Sequence, residues 1–430
     1  MSTSKYEFEM LSNPKCLNFH HANWKEGDLT GISIKNYSRI SFKDSLFGFY
    51  PYSEIVFHDT AGQIVDSVFF VEGLEFKCKL GYQKTDEEKT NIDKAFGAKR
   101  KYYLEHDYVW SAHEISNIKM AQSVSGDNLF MFISKYFFND YPQSKVFNHE
   151  NSTTKKTISQ ILKTTILPNW GIPQDKIEIS DTTGTPYFVQ SNINNKNLIS
   201  KLAEYAYSSN FETSGFYTFI NCNGEFYFRT IQDMLNQKEV MKYKIDLDKN
   251  MTIDEDYIKD YRIMDGGIPV NFDNYNRKFY KYNSNGIMSS ENKDIYKSAL
   301  VTDTTAKLLI RNQYIPSSPS KSVYAGIIDE TNGIELYKGF SNYFYRDTNL
   351  AYRMKLQVAF NPNCVSGKTI AVEVKKQTKN DEIAKEFSDK WLICESTHVI
   401  TNVGIPLTQL IVSKPKISID KDHPFFNDFK

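Results

Sequence analysis

The sequence has 430 residues, enough for about two to four domains of ordinary size. Lys and Arg together number 52, as do Asp and Glu, so the formal net charge is zero and no bulk charge attracts nucleic acid or an anionic membrane. The 28 Tyr and 30 Phe residues favour β-sheets with large contact surfaces, and an AT-rich coding bias explains the same composition equally well.

The cysteines are scattered and form no Cys-x-x-Cys pair, which argues against a disulfide framework or a zinc ribbon and suits a reducing compartment. The amino terminus lacks the apolar core of a signal peptide. No apolar run approaches the ~18 residues of a membrane span. We therefore expect a soluble protein made in a cytoplasm. The five cysteines are Cys16, Cys78, Cys222, Cys364 and Cys394.

The chain up to about Ser116 is predicted to consist mainly of strands, because aromatic and β-branched residues are frequent and Gly62 and Gly73 mark turns. The charged stretch Lys84–Lys101 is expected to be a solvated loop or a short helix inserted in the sheet. The next segment, Asn128–Phe138, fits a short helix and a strand equally. The predicted strands are Ser53–Phe57, Val68–Val71, Leu74–Leu80 and Asp107–Ile115.

Two helices are predicted in the middle of the chain. The first is capped by Ser152 or Thr153 and ends before Pro168. The second is capped by Asn192 or Asn194, and its apolar residues share one face. The apolar positions are Ile158, Ile161, Leu162 and Ile166 in the first helix, and Leu198, Ile199, Leu202, Ala203 and Ala206 in the second.

A hairpin follows the second helix. Its strands are Gly215–Asn221 and Glu225–Thr230, and Asn223-Gly224 lies at the tip. Asn-Gly at this position predicts a type I′ turn, in which both residues have positive φ. One further helical turn is predicted over Thr230–Asn236.

The segment from about 244 to 321 is irregular and rich in aromatic residues, and Ile315–Ser322 within it predicts a loop or linker. Strands return in the last third. Both alternating faces of Trp391–Thr401 are apolar, so this strand is expected to be covered on two sides. The polar tail after Ser413 ends in Pro424–Phe429 and is of a kind that often docks on a neighbour. The predicted strands are Ala351–Phe360, Thr369–Lys375, Trp391–Thr401 and Thr408–Ser413.

Motifs of enzyme sites are incomplete. His113-Glu114 and His149-Glu150 each resemble the start of a zinc-protease helix, but Asn117 and Thr153 stand where the second His is required. His113 is better interpreted as a strand residue. Gly339–Tyr343 lacks the last Gly of a nucleophile elbow, and the sequence has neither a phosphate-binding loop nor a Gly-x-Gly-x-x-Gly motif.

Cys394, Glu395 and His398 lie close in sequence and raise the question of a Cys-His site. In a strand, Cys394 and His398 are two pleats apart on one face, too far for proton transfer without a bend. We interpret them as a packed thiol and a hydrogen-bonded His, and we expect no catalytic residue, no cofactor and no metal site. Short motifs interpreted as surface features are His20-His21, Lys99–Lys101 and Lys375-Lys376.

Several segments carry a family resemblance through their order along the chain. They resemble the baseplate central hub proteins of contractile-tailed phages, the family that includes the hub part of type VI secretion spike proteins. In that family a turn of the Asp-Ser-Leu-Tyr-Gly type precedes a strand of the first barrel, and a strand with a central His lies near the end. The region from about 244 to 349 matches no part of the family. The similar segments are Phe42–Gly48, Ser53–Asp59, Trp110–Asn117, Thr157–Leu162, Asn197–Ala206, Gly224–Phe228, Ser366–Val372, Trp391–Thr401 and Thr408–Val412.

The resemblance implies a β-rich α+β fold with two tail-tube-like antiparallel β-barrel domains, a helical insertion and a smaller accessory domain. The first barrel is expected over residues 1–120, completed by 215–243, and the inserted α+β domain over 121–214. The second barrel is expected over 244–413, with an accessory subdomain at about 300–350. Residues 414–430 form the C-terminal tail.

The resemblance also implies a structural function. A trimer of such chains presents six barrels in a pseudo-sixfold ring that joins the tail tube to the central spike and leaves a channel for DNA. The implied partners are two further copies, a tail tube or tube-initiator protein, the central spike, baseplate wedge proteins and the tape measure protein. DNA is in contact only in transit, and no stable membrane association is expected. The implied location is the virion's tail baseplate.

Two other functions stay open. The first is a tail-associated hydrolase of the cell wall or of a glycan, because acid/base pairs such as Asp329-Glu330 need not be adjacent in sequence. A zymogram on host cell walls would detect it. The second is a β-sandwich glycan-binding module, which the Tyr content also suits, and binding of the isolated protein to glycans would favour it.

Overall fold

The structure is a computed structural model. It describes residues 17–20, 37–59, 75–80, 106–122, 128–136, 140–149, 151–210, 215–245, 258, 260–264, 276–282, 288–294, 322–327, 350, 352–375, 388–401 and 407–414.

The protein is β-rich and has few helices. A 12-stranded sheet, curled as a half-barrel, contains strands from both ends of the described chain. Two two-stranded and two three-stranded sheets accompany it. The strands of the first part are β1 (Leu17–His20), β2 (Tyr37–Ser45), β3 (Tyr52–Asp59), β4 (Glu75–Leu80), β5 (His106–Gln122) and β6 (Asn128–Tyr136).

These six strands pair antiparallel in the spatial order β1-β4-β5-β6-β3-β2. The predicted strands that overlap β3, β4 and β5 are confirmed. The undecided segment Asn128–Phe138 is a strand, β6. It lies between β5 and β3, so strand neighbours on both sides satisfy its backbone hydrogen bonds.

The next part of the chain mixes short strands with helices. Its elements are β7 (Gln143–Phe147), α1 (Ile158–Ile161), β8 (Ile177–Ile179), β9 (Thr182–Thr183), β10 (Phe188–Ile193), α2 (Asn195–Tyr205), β11 (Tyr207–Ser208), β12 (Phe216–Ile220), β13 (Phe226–Thr230) and α3 (Ile231–Leu235).

The first predicted helix begins later and continues further than expected. Thr157, rather than Ser152 or Thr153, caps α1, and it forms a capping box with Gln160. A π-helix over Leu162–Ile166 and a 3-10 helix over Leu167–Trp170 follow directly. The proline at 168 does not end the segment, because it lies in the first turn of the 3-10 helix, where its missing N–H needs no acceptor. Gly171, with φ of 65°, ends it.

The second predicted helix, α2, is confirmed and its cap is Asn194, whose side chain accepts a hydrogen bond from the Asn197 amide. The Asp140 carboxylate accepts two more, from the amides of Asn195 and Lys196. The predicted apolar face of α2 is buried in one core with α1 and the following helical turns. The described members of this core are Phe147, Ile158, Ile161, Leu162, Ile166, Leu167, Trp170, Leu198, Ile199, Leu202, Ala203, Ala206, Phe216, Ile220, Phe226 and Phe228.

The predicted hairpin is present as β12 and β13, but the predicted type I′ turn is wrong. Asn223 does not have positive φ, whereas Gly224 has a φ of 72°. The Gly224 amide donates to the Asn221 carbonyl, and the Asn221 amide donates to the Glu225 carbonyl. This pattern fits a type I turn followed by a left-handed glycine. The Asn221 side chain stabilises the longer loop by accepting from the amides of Asn223 and Glu225. After the hairpin, the predicted helical turn is confirmed as α3, capped by Thr230.

The last part of the chain is again built from strands, and the four strands predicted there are confirmed. Strands β15 to β17 occur where the sequence pattern is irregular, and β18 begins directly after that segment. The strands are β14 (Met241–Ile245), β15 (Asp260–Met264), β16 (Asn276–Tyr282), β17 (Met288–Asp294), β18 (Ser322–Ile327), β19 (Tyr352–Ala359), β20 (Thr369–Val374), β21 (Asp389–Thr401) and β22 (Leu407–Lys414).

Six of these strands surround one core, in the pairing order β14-β20-β21-β22-β19-β15. The Ile258 amide, just before β15, donates to the carbonyl of Lys244 in β14 at 3.0 Å. The two ends of the strand path therefore meet. The buried members of this core are Tyr243, Ile245, Ile258, Met354, Leu356, Val358, Cys364, Ile370, Val372, Trp391, Ile393, Leu410 and Val412.

Strand β21 joins the first and last parts of the chain. One edge of it pairs with β20 through residues 389–392 and with β2 through residues 395–401, and its other edge pairs with β22. Four consecutive residues, 391 to 394, are buried. The prediction that this strand is covered on two sides is therefore confirmed for residues 391 to 394, whereas from 395 to 399 partly buried residues alternate with buried ones.

Several sequence predictions fall outside the described residues. They are the turns at Gly62 and Gly73, the strand Val68–Val71, the charged stretch Lys84–Lys101, most of the loop Ile315–Ser322, and the tail that ends at Phe429.

Candidate functional site at the junction of three chain segments

The motifs considered for enzyme chemistry are dispersed over the fold. His113 and Glu114 lie within strand β5, as predicted for His113. His149 is exposed, and its ring lies 6.5 Å from that of Tyr187. His20 is in β1. Motif residues outside the described part of the chain are Glu150, His21, Lys99–Lys101, Lys376, Asp329-Glu330 and Gly339–Tyr343.

Cys394 and His398 are both buried in β21, as expected for packed strand residues. The Cys394 thiol donates to the Leu392 carbonyl at a sulfur–oxygen distance of 3.8 Å. The His398 Nδ1 forms a hydrogen bond of 3.0 Å with the Thr408 hydroxyl. Across the residues that the structure describes, no group of three or more His, Cys, Asp and Glu side chains is arranged to hold a metal ion. Among those residues no helix is long and apolar enough to cross a membrane.

Among the described residues, a buried group of polar side chains with many hydrogen bonds lies elsewhere, where the β12–β13 hairpin meets the 12-stranded sheet. The hairpin is buried on both faces, so its side chains alternate between two cores. Phe216, Ile220, Phe226 and Phe228 belong to the core of the helices α1 and α2. Tyr217, Phe219 and Tyr227 face the other way, with α3 and β21, in a core that also holds Leu46, Ile231, Met234, Leu350, Leu392 and Cys394.

Asp44, near the end of β2, is the centre of this junction and is 3 % exposed. Its Oδ2 accepts from the Cys222 amide at 2.7 Å. Its Oδ1 accepts from the Ser366 amide at 3.0 Å, from the Ser366 hydroxyl at 2.7 Å and from the Ser396 hydroxyl at 2.6 Å. One carboxylate therefore connects β2 with the hairpin tip, the loop over 360–368 and β21.

Gly367 brings that loop against the hairpin. Its φ is 87°, and its amide donates to the Ile393 carbonyl at 3.0 Å. A Cβ atom at this position would lie 2.8 Å from Phe219 Cζ and 3.0 Å from Tyr227 Cε1. The rings of Phe219 and Tyr227 are stacked, with centroids 4.8 Å apart. The absence of a side chain at 367 is therefore required both by the backbone conformation and by the close packing.

A second polar group flanks the Asp44 cluster. Lys368 Nζ lies 3.0 Å from Glu225 Oε1, and both side chains are only about one-fifth exposed. Glu225 Oε2 accepts from Asn221 Nδ2 at 2.7 Å and from the Tyr227 hydroxyl at 3.0 Å. Lys368 also lies 5.7 Å from the centroid of the Tyr227 ring. This ion pair ties the loop to the hairpin next to the buried carboxylate.

Burial controls the protonation of the groups at the junction. Desolvation raises the pKa of Asp44, and its hydrogen bonds from Ser396, Cys222 and Ser366 oppose the shift. Burial and the neighbouring Asp44 carboxylate raise the pKa of the Cys222 thiol. Burial likewise raises the pKa of the Tyr227 hydroxyl, with Glu225 adding to the effect. The thiol and the phenol therefore stay neutral at ordinary pH.

Sequence reasoning singled out the segment that contains Asp44 but missed the role of the carboxylate. Its partners Ser366 and Ser396 are 322 and 352 residues away along the chain. No local periodicity reports contacts of that separation. Strand β2 reads YSRISFKDS and mixes apolar with polar and charged residues, so its own sequence does not mark Asp44 as the buried carboxylate.

The sequence matches no protein-family model, and it matches no curated protein. Solved structures do resemble the fold. A 43 kDa tail protein of prophage MuSo2 from Shewanella oneidensis matches 89% of this chain and 94% of its own, with 11% identity and a TM-score of 0.46. A tail protein from Neisseria meningitidis matches 93% of this chain and 95% of its own, with 8% identity and a TM-score of 0.48.

A component of the E. coli type VI secretion system, described as similar to T4 bacteriophage tail proteins, matches 88% of this chain and 73% of its own. Its identity is 8% and its TM-score 0.39. These three similar structures are a prophage tail protein, a bacterial tail protein and a type VI secretion component.

Proposed function

We propose that this chain is a structural component of the central hub of a phage tail baseplate. Three copies form a pseudo-sixfold ring that joins the tail tube to the central spike and leaves a channel for DNA. In this role the protein carries no catalytic site, and its function is exerted through its surfaces and its symmetry.

The observation that carries the proposal is the strand path β14-β20-β21-β22-β19-β15. Its six strands enclose one apolar core, and the Ile258–Lys244 hydrogen bond joins its ends. A closed path of this kind has few free edges, which suits a ring in which each barrel meets its neighbours through side chains. We propose that this path is the second tube-like barrel.

We propose that the first six strands, β1 to β6, belong to the first barrel. They form a continuous antiparallel order from β1 to β2, and the β2–β21 pairing connects them with the second strand set. We propose a first barrel over 1–136 instead of 1–120, because β6 pairs with β3 and β5, so the inserted domain begins at 137 instead of 121. We propose a second barrel over 241–413 instead of 244–413, because β14 pairs with β20, with an accessory subdomain at about 300–350 and a tail over 414–430. The β12–β13 hairpin pairs with β8, so we count 215–230 with the inserted domain instead of the first barrel.

The proposed function defines the surroundings of the protein. It resides in the tail baseplate of the virion after synthesis in the host cytoplasm. Its partners are two further copies, a tail tube or tube-initiator protein, the central spike, wedge proteins and the tape measure protein. It touches DNA only in transit and does not associate stably with a membrane.

Negative-stain imaging of the purified full chain tests the proposal, alone and with a tube or spike protein. We expect threefold rings with a central hole, and isolated particles under both conditions contradict a hub. A zymogram on host cell walls and a glycan-binding assay on the same preparation separate the alternatives. Lysis of the walls indicates the hydrolase, and glycan binding by an isolated monomer indicates the glycan-binding module.

A further inference from the structure

The Asp44 carboxylate is buried without a cationic partner among the described residues. Every hydrogen bond that the structure gives it comes from a neutral donor, two backbone amides and two serine hydroxyls. Transfer of a charge into such a site is costly unless it is paired. The hydrogen bonds offset that cost only in part.

The same cluster can also accommodate the neutral acid. A serine hydroxyl rotates and can act as an acceptor, so a protonated Asp44 can donate to Ser396 or Ser366. The amides of Cys222 and Ser366 cannot reverse and still require an acceptor oxygen on the carboxyl group. Both protonation states are therefore compatible with the geometry, and they differ in the cost of burying the charge.

We propose that Asp44 is a pH-sensitive clasp between the inserted domain and the 12-stranded sheet. When Asp44 is protonated the hairpin tip and the loop around Ser366 are held firmly to β2. When Asp44 ionises, the attachment of the hairpin tip and the loop to β2 weakens. The core around α1 and α2 and the core enclosed by β14, β20, β21, β22, β19 and β15 keep their own packing.

The elements around the clasp carry other titratable groups. The hairpin contributes Tyr217, Cys222, Glu225, Tyr227 and Arg229, and the loop contributes Lys368, which pairs with Glu225 at 3.0 Å. Arg229 pairs with Glu178 at 3.0 Å. The remaining titratable or charged side chains that the structure describes in the loop, β21 and β2 are Cys364, Asp389, Lys390, Cys394, Glu395, His398, Arg39 and Lys43. Burial raises the pKa of Cys364 to about 12, so this thiol stays neutral through the acidic and neutral range.

The sign of the effect follows from linkage. Burial raises the pKa of Asp44 above its ordinary value of 3.8, so between these two values the folded junction binds more protons than the opened one. The stability that protonated Asp44 contributes to the junction is then fully present below pH 3.8 and is lost as pH rises through the raised pKa. Each unit of separation between the two values corresponds to about a tenfold loss of protection at the junction.

Hydrogen exchange of the full chain, measured across acidic to neutral pH and corrected for intrinsic exchange rates, tests the proposal. We expect the protection of the Cys222 and Ser366 amides to fall with rising pH in the native protein and to be independent of pH in Asp44→Asn. Amides of α2 and β22 serve as internal controls and should not share the profile. Parallel profiles in the two proteins, or protection that rises with pH, overturn the proposal.

Ser396→Ala provides a second variant in case Asp44→Asn does not fold. It keeps the carboxyl group and removes one donor that lowers the pKa. The fall in protection should therefore extend to higher pH than in the native protein. An unchanged profile in Ser396→Ala also contradicts the clasp.

Discussion

At position 367 a side chain would be unfavourable for two reasons, the left-handed backbone and the close packing. Their costs in unfolding free energy can be measured separately. Gly367→Ala introduces a residue at φ 87° and a methyl group 2.8 Å from Phe219 Cζ, where the stacked, buried rings have no room to move. The left-handed backbone costs about 1–2 kcal/mol, and overpacking adds roughly 1–3 kcal/mol. We expect a clear loss of unfolding free energy in urea denaturation.

Gly171→Ala is the matched control. Its φ is 65°, and nothing lies within 4 Å of the position a Cβ would take. Only the backbone cost of about 1–2 kcal/mol applies there. Equal losses in the two variants would show that a methyl group at 367 causes no overpacking against the hairpin rings, and would contradict the packing part of this prediction.

His398 and Cys394 are expected to act through packing alone. His398→Ala removes one of the two hydrogen-bond partners of the buried Thr408 hydroxyl, which also accepts from the Asn361 amide, and should cost about 1–3 kcal/mol in thermal unfolding. Glu395→Ala, in the same strand but only partly buried, should cost less. Any hydrolysis of host cell walls should be the same in the native protein and in alanine variants of Cys394, Glu395 and His398. Loss of such activity in a variant that folds normally would contradict the packing interpretation.

At the scale of elements, the two helical segments depend on their buried faces. Leu162 is fully buried and Leu202 is 1 % exposed, both in the same core. Leu162→Ala or Leu202→Ala should therefore lower stability by about 2–5 kcal/mol, measured as a lower melting temperature. Val189→Ala, at a side chain that is 51 % exposed, is the control and should change the melt little. Normal melting of both leucine variants would mean that the helix register is wrong.

Local signals predicted most elements, because alternation, helical periodicity and caps act within a few residues. They identified the strands from β19 to β22, the hairpin, and Asn194 as one of two candidate caps. They failed at Pro168, because the helix changes from α to π and then to 3-10 geometry and the proline lies in the first turn of the 3-10 helix. They also failed at Asn223-Gly224, where the Asn221 side chain stabilises a longer loop.

Strands β16 and β17 show a different limit of sequence reasoning. Their sequences, NRKFYKY and MSSENKD, contain few apolar residues and give no clear alternation. They are strands because β16 pairs with β17 on one side and β18 on the other. The Asp44 cluster escaped prediction for a related reason, since its parts are brought together only by the complete fold.

At the scale of the whole molecule, the β2–β21 pairing makes one continuous sheet from strands near both ends of the described chain. The Asp44 cluster and the hairpin then attach the inserted domain to that sheet close to the β2–β21 pairing. A subunit that transmits force between a tube and a spike needs such connections, because a domain joined only by loops would turn independently of its neighbours.

The trimer is the prediction on which the proposed function depends. A ring closes only if the first barrel of each copy meets the second barrel of a neighbour, and such an obligate interface should bury more than roughly 2,000 Å² on aromatic and aliphatic anchors. The inner wall should be poor in Lys and Arg clusters so that passing DNA is not held by its phosphates, which the zero net charge permits. Light scattering behind a sizing column should give three times the chain mass of 49.9 kDa, either at high concentration or with a tube or spike partner. A chain that stays monomeric under both conditions is not a hub, and the glycan-binding function then becomes the better proposal.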